Sequence, residues 1–410
     1  MKILQMSRWF FPHVGGGSIR VYQVAKTLTQ MGHEVHLLTH NPKSIGQCNL
    51  DEEAPLYEKH PDGFFVHRLP YYKLGKSFNW AISIPLMSRN AVEIIKKEEI
   101  DVILSHNPPY LVGTASLSAS KLTGKPVVTL IHDVWGASHY SPLQYTIGNF
   151  LQRRCIKRSK RVVTASEGLK NIIAKEFNFP KEKIFVSPTG IDLKFSEIDQ
   201  SRLKEVLKKY AKLGVRPDGK YIFFVGILRK WAGVPQLIDA FAGLSKDKRY
   251  AKFKLLLVGG GDKAEFEKRA EKLGIKERVI FTDAVPYADV PYLISLATIT
   301  CAPFPSTSVT DQDKLMSPHK VLEYMVVGKP IVASAVGGME TYIKDNITGV
   351  LYKPDDITDL KDKIVYLLEN PKLREGLSKN AYEYVRKGGF EWKDSVRSVE
   401  KALLEAIKNG

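Results

Sequence analysis

A chain of 410 residues, 44% apolar and 26% charged, is long enough for two full cores and has the composition of an ordinary globular protein. Cys48, Cys155 and Cys301 show no metal or redox spacing, and no apolar run nears the roughly 18 residues of a membrane span, so zinc modules, disulfide scaffolds and integral membrane proteins are set aside. The formal charge of +17 fits an anionic membrane surface or a lysine-rich solvated one; with no zinc spacing or RNP-like aromatic strand, nucleic acid ranks last.

Residues 2–7 read as a strand, 18–31 as an amphipathic helix and 35–39 as a second strand, which together make a βαβ unit. The first seven residues turn polar too early for a signal peptide, so a reduced cytoplasmic chain is expected, peripheral at most on the inner membrane face. The connecting loop ends in Gly15, Gly16 and Gly17, which permit backbone amides to approach a diphosphate at the helix start; a flexible turn is the plainer reading. A strand near residues 64–69 precedes a segment, 71–80, where Tyr71, Tyr72, Phe78 and Trp80 are interleaved with Lys73 and Lys76. That composition suits a headgroup layer and equally a packed loop.

A helix over 84–97 leads to a strand ending at His106, and a later strand, 126–131, runs into His132 and Asp133. Open α/β sheets bind ligands at their strand C-terminal ends, so His106 and His132 are candidate site residues, a structural histidine being the alternative. A helix over 139–160 accompanies the basic cluster Arg153, Arg154, Lys157, Arg158, Lys160 and Arg161, either a solvated face or one that meets an anionic surface. Two more strands follow, then a charged helical stretch over 193–219, before an apolar strand at 220–225 restarts the βα series. The restart divides the chain into domains 1–192 and 193–390. After Gly226 come Arg229 and Lys230, a phosphate clamp or a pair of surface cations, and the next strand ends in Gly259-Gly260-Gly261-Asp262.

Residues 317–334 read as a helix and a buried strand: Ser317 caps, Pro318 takes the first helical position, and Gly328 with Pro330 stops the helix. A helix start open to a ligand suits phosphate, Lys320 adds a full charge, and Glu323 one turn on offers two oxygens to paired hydroxyls. Spacing alone describes an exposed i,i+3 pair just as well. Asp311 and Asp313 lie in the preceding loop.

The pattern S-P-x-K-x-x-E-Y-M-x-x-G-K-P at 317–330 resembles the nucleotide-sugar helix of family 4 glycosyltransferases. The Gly15–Gly17 loop, His132-Asp133, S-P-T-G-I-D at 187–192, G-G-G-D at 259–262 and F-E-W at 390–392 are similar to the family's other motifs, so the resemblance covers essentially the whole chain. It implies an α/β GT-B fold: two Rossmann-like doubly wound domains facing a cleft, with the C-terminal helix, 391–410, crossing back onto the first domain. It implies retaining transfer of a hexose or N-acetylhexosamine from a nucleotide diphosphate sugar to a glycan or polyprenyl-linked acceptor, in cell-surface polysaccharide or glycoconjugate synthesis, with no cofactor and no metal ion.

By the same resemblance His132 contacts the donor hexose and Glu323 the ribose, with Lys320 beside it. Gly15, Gly16, Gly17, Ser317, Gly260, Arg229 and Lys230 serve the rest of the donor, while His106 and Asp133 are acceptor-side candidates. The chain departs from the pattern at Leu315, where a first Glu is usual, at Ile227 and Ala232, where an Arg and a Lys clamp the pyrophosphate, and at Thr189, where Asn is usual. A sugar-nucleotide epimerase of the same fold and a non-catalytic nucleotide-sugar sensor remain alternatives.

Overall fold

The computed structural model describes residues 1–12, 16–42, 54–71, 76–107, 110–132, 142–306, 319–336 and 339–408. Gly15, Asp133 and Ser317, with Asp311, Asp313 and Leu315, lie outside the described residues. The chain divides into two compact units, Met1–Thr189 with Trp392–Gly410, and Gly190–Glu391.

Eight strands build the first unit: β1 (Lys2–Met6), β2 (Glu34–Thr39), β3 (Tyr57–Lys59), β4 (Phe65–Arg68), β5 (Val102–Asn107), β6 (Val127–Ile131), β7 (Arg161–Thr164) and β8 (Ile184–Val186). Their order is β3-β4-β2-β1-β5-β6-β7-β8, and every pair is parallel except β3 with β4. A parallel sheet covered by helices is apolar on both faces, which is why β5 and β6 are buried at every position. The chain leaves β1 toward β2 on one side and returns to β5 on the other, so the C-terminal ends of β1 and β5 meet at a topological switch point.

On one face the helix Gly16–Gln30 inserts Val21, Val24, Ala25 and Leu28 beside the terminal helix Trp392–Lys408. That last helix buries Val396, Val399, Leu403 and Ala406, a 3-4-3 spacing that makes one apolar stripe, and its middle and last turn are tied by Glu400 to His33 at 2.7 Å and Glu405 to Arg161 at 3.1 Å. The terminal helix therefore returns to the first unit. Residues 76–80, read from sequence as part of an aromatic and lysine-rich segment ahead of a helix starting at 84, open a longer helix, Lys76–Lys97. Pro85 sits inside it; a proline removes one donor, and here the burial of Met87, Ala91, Ile94 and Ile95 outweighs that loss.

The second unit is a six-stranded parallel sheet of β9 (Lys220–Val225), β10 (Phe253–Val258), β11 (Val279–Phe281), β12 (Ala297–Ala302), β13 (Ile331–Ser334) and β14 (Val350–Tyr352), in the order β11-β10-β9-β12-β13-β14. Alternation along β9 feeds two cores: Tyr221, Phe223 and Val225 enter one layer, Ile222 and Phe224 the other. The switch point falls between β9 and β12. Where the chain crosses between units, Ile191 N–H donates to the Phe390 carbonyl at 2.8 Å, so the two crossing segments are hydrogen-bonded to each other.

Candidate functional site

The helix His319–Val326 packs Val321, Leu322, Tyr324, Met325 and Val326 into the second unit's core. That packing fixes where its polar residues point. The Tyr324 hydroxyl accepts from the Val225 N–H at 3.0 Å and donates to the Cys301 carbonyl at 3.3 Å, pinning the helix to β9 and β12 on either side of the switch point. Lys320 is thereby set at the C-terminal end of β9: its Nζ lies 3.8 Å from the Phe224 ring centroid and 4.8 Å from that of Phe304. Gly226 makes the space, because a Cβ there would come within 2.8 Å of Nζ.

Glu323 is 4% exposed. Burial pushes its carboxyl up to about 7, opposed by a hydrogen bond from the Tyr287 hydroxyl and by the Lys320 charge. Burial likewise brings the Lys320 ammonium down to about 7, with Glu323 pulling the other way. Both shifts have one main cause, the partial loss of water around the charged ends: Glu323 is buried and Lys320 half-buried against aromatic faces. An anion arriving beside Lys320 relieves its side of that cost.

The glycine turns around this end of the sheet carry a steric reason of their own. Gly226, Gly259 and Gly261 have φ of 143°, 136° and 145°. A Cβ on Gly259 would meet the Gly226 carbonyl oxygen at 2.0 Å, and one on Gly261 the Leu228 oxygen at 2.2 Å. The two loops are laced by Gly226 N–H to the Val258 carbonyl, Leu228 N–H to that of Gly260 and Asp262 N–H to that of Leu228, at 2.9, 2.8 and 2.8 Å. Gly260 itself has room for a methyl group, its nearest neighbour being the Ala284 Cβ at 3.4 Å.

Arg229 and Lys230 are paired with acids: Arg229 holds both oxygens of Asp262, at 2.7 and 2.9 Å, and Lys230 meets Glu265 at 3.0 Å. Both are exposed, so such pairs contribute little and exchange readily for another anion.

In the first unit His106 is the penultimate residue of β5 and His132 follows β6, and the parallel register brings them together: His106 Nδ1 lies 3.0 Å from His132 Nε2, with the rings stacked 5.2 Å apart. His106 is 2% exposed, and its Nε2 has no hydrogen-bond partner among the described residues. Burial, then the Arg20 charge, lowers its pKa to about 3, so its imidazole is neutral. Gly16 and Gly17 open the helix Gly16–Gln30, and a Cβ on Gly17 would meet Trp9 at an ordinary 3.8 Å.

Three residues stand in these sites that sequence reasoning did not single out. Buried Arg20 binds the Ser187 carbonyl and hydroxyl and the Thr189 hydroxyl, tying the first helix to the loop after β8. Its signal was a lone arginine within an apolar helical stripe. Tyr287 gave none, and Tyr324, although a fixed position of the 317–330 pattern, drew no role of its own because an aromatic residue in an apolar run reads as core.

Residues 14–195 match the family described as Glycosyltransferase Family 4, and residues 206–384 the one described as Glycosyl transferases group 1. An uncharacterised glycosyltransferase of Methanocaldococcus jannaschii is 25% identical over 100% of this chain and 99% of its own. Sucrose-phosphate synthase of Thermosynechococcus elongatus superposes with a TM-score of 0.79 over the full length of both chains at 19% identity. HepE of Anabaena, solved with UDP-glucose, superposes with a TM-score of 0.73 over 98% of this chain and 99% of its own, also at 19% identity.

Proposed function

Taking the chain as the glycosyltransferase of GT-B type that its two matched halves make it, we propose that it moves a hexose from a nucleotide diphosphate sugar, with retention of anomeric configuration, to a glycan or polyprenyl-linked acceptor. The observation that carries this reading is the Lys320–Glu323 pair, Glu323 buried and Lys320 half-buried by the C-terminal end of β9, with the cation unanswered by any hydrogen bond or salt bridge among the described residues. A diphosphate supplies the missing anion, and the Glu323 carboxylate accepts paired hydroxyls from the ribose. UDP-glucose bound to HepE, a protein of the same fold, supports a donor of this class.

In the reaction the bond from the anomeric carbon to the diphosphate oxygen breaks and one from that carbon to the acceptor oxygen forms on the same face. The departing phosphate takes the acceptor's proton. Lys320, and Arg229 or Lys230 released from Asp262 and Glu265, offset the charge that grows on the leaving group. His132, whose ring is oriented by the hydrogen bond to His106, is assigned to the transferred sugar. The positions where the family pattern fails, Ile227 and Ala232, place the clamp's charge on neighbouring residues.

Thermal stabilisation by UDP, GDP, ADP and dTDP, with and without common sugars attached, tests the reading. At about a hundred times the dissociation constant the right nucleotide adds roughly 2.7 kcal/mol, and Glu323→Ala should abolish the shift. Failure of every nucleotide to stabilise the protein would remove the donor site.

A further inference from the structure

The helix Pro142–Arg158 of the first unit has an exposed side that nothing in the fold explains. Its inner side is well anchored. Gly148, Gln152, Cys155 and Ile156 are buried, and Cys155 sits so close to Gly113 of the neighbouring helix that a Cβ there would meet its Sγ at 2.6 Å. Ser159, just past the last turn, bonds Thr129 of β6 at 2.6 Å and the Cys155 carbonyl at 2.8 Å.

Opposite that seam, Thr146, Ile147, Phe150, Arg153, Arg154, Lys157 and Arg158 are all exposed, and at 100° per residue they occupy an arc of about 140°. Ile147 is 51% and Phe150 63% exposed, while Arg154, Lys157 and Arg158 make no ion pair among the described residues. Arg153 donates to the Glu176 carbonyl at 2.9 Å and lies over Phe177, so its charge too has no carboxylate partner there. The sequence contains no Asp or Glu between Asp133 and Glu167, so no acid along this stretch answers the four cations Arg153, Arg154, Lys157 and Arg158. A solvated helix face would mix signs and avoid a Phe and an Ile one turn apart.

We propose that this face is the surface by which the protein docks on an anionic lipid bilayer, Ile147 and Phe150 entering the headgroup layer and Arg153, Arg154, Lys157 and Arg158 meeting lipid phosphates. The two exposed apolar side chains favour a membrane over nucleic acid, which gains nothing from an isoleucine aimed at it. The docking surface deepens the lipid-linked acceptor of the reading above, and rests on that reading only for its purpose.

The test is flotation of the full chain with vesicles of phosphatidylcholine alone and of phosphatidylcholine with phosphatidylglycerol, at low and high salt. The protein should float with the anionic vesicles at low salt and not with the neutral ones. Arg154→Glu with Lys157→Glu should weaken the partition at least tenfold, each cation near the surface contributing about fivefold. Phe150→Glu should remove the binding that survives high salt. The same change of charge at exposed Lys268→Glu with Lys372→Glu should leave flotation as in the wild type. No flotation of the wild type overturns the proposal, as does equal loss in the control pair, which would mean net charge alone. Binding to duplex DNA that is lost in the Arg154 and Lys157 variant and unaffected by Phe150→Glu, without vesicle binding, overturns it in favour of nucleic acid. Nucleotide stabilisation measured on the same samples separates the outcomes: flotation without it leaves docking and sinks the donor site, and the reverse sinks docking alone.

Discussion

Replacing Lys320 by methionine keeps most of the side chain's volume between Phe224 and Phe304 and removes its charge. A phosphate charge about 4 Å from Nζ, at an effective dielectric constant near 20, is attracted by roughly 4 kcal/mol. Part of this is spent keeping protonated an ammonium that burial has brought down to about 7. The expected loss is about 2–4 kcal/mol of binding, or roughly 30- to 1000-fold in Kd for a nucleoside diphosphate. The sign of the pH dependence follows. Because Lys320 is charged below about pH 7 and loses its proton above, and because the ligand favours the charged form, binding draws in a proton above neutrality. Affinity should therefore fall as pH rises from 7 to 9, by up to about tenfold per unit for one proton. Titration calorimetry in buffers of different ionisation enthalpy reads both quantities. The reasoning is refuted if Lys320→Met binds within threefold of the wild type, or if the wild type shows no proton uptake at pH 8.

Glu323→Gln should weaken a nucleoside diphosphate by about 1.5–3 kcal/mol and narrow its advantage over the 2′-deoxy analogue, measured by competition, because a carboxylate that takes ribose hydroxyls is replaced by an amide. Tyr324→Phe leaves the buried Val225 N–H without its acceptor; a cost of about 1–3 kcal/mol, seen as a lower melting temperature of the second unit, is expected. Gly259→Ala should destabilise by about 1–3 kcal/mol or more, since its Cβ would lie 2.0 Å from the Gly226 oxygen, whereas Gly260→Ala should fall within about 0.5 kcal/mol of the wild type in a denaturant titration.

The doubly wound architecture was legible because parallel strands buried on both faces give short, near-continuous apolar runs, and the run at 220–225 announced a second sheet. The helix Lys76–Lys97 was read short because Pro85 and the aromatics before it look like loop residues, while the part read, 84–97, carries the apolar stripe of Met87, Ala91, Ile94 and Ile95 that packs with Val112, Ala115 and Ala119. At the site, sequence placed His106 and His132 at the C-terminal ends of strands, but their contact depends on the pairing and register of β5 with β6, which no pattern states. The charges of Arg229 and Lys230 were visible; their partners Asp262 and Glu265 come from beyond the next strand. Asp289 shows the same limit. It looks like one more acid in a polar turn, yet it is fully buried and takes bonds from Arg202, Lys209 and Tyr210 at 2.7, 2.8 and 2.9 Å. Burial alone would raise its carboxyl, and those partners outweigh burial and hold it below the usual range.

The most direct test of the account is turnover: the protein incubated with the stabilising nucleotide sugar, released nucleoside diphosphate quantified, and the sugar product's anomeric configuration read by NMR. The account predicts diphosphate release, faster with acceptor present, with the donor's configuration retained and both signals lost in Glu323→Ala. A donor returned epimerised, a product of inverted configuration, or tight binding with no diphosphate released would contradict it.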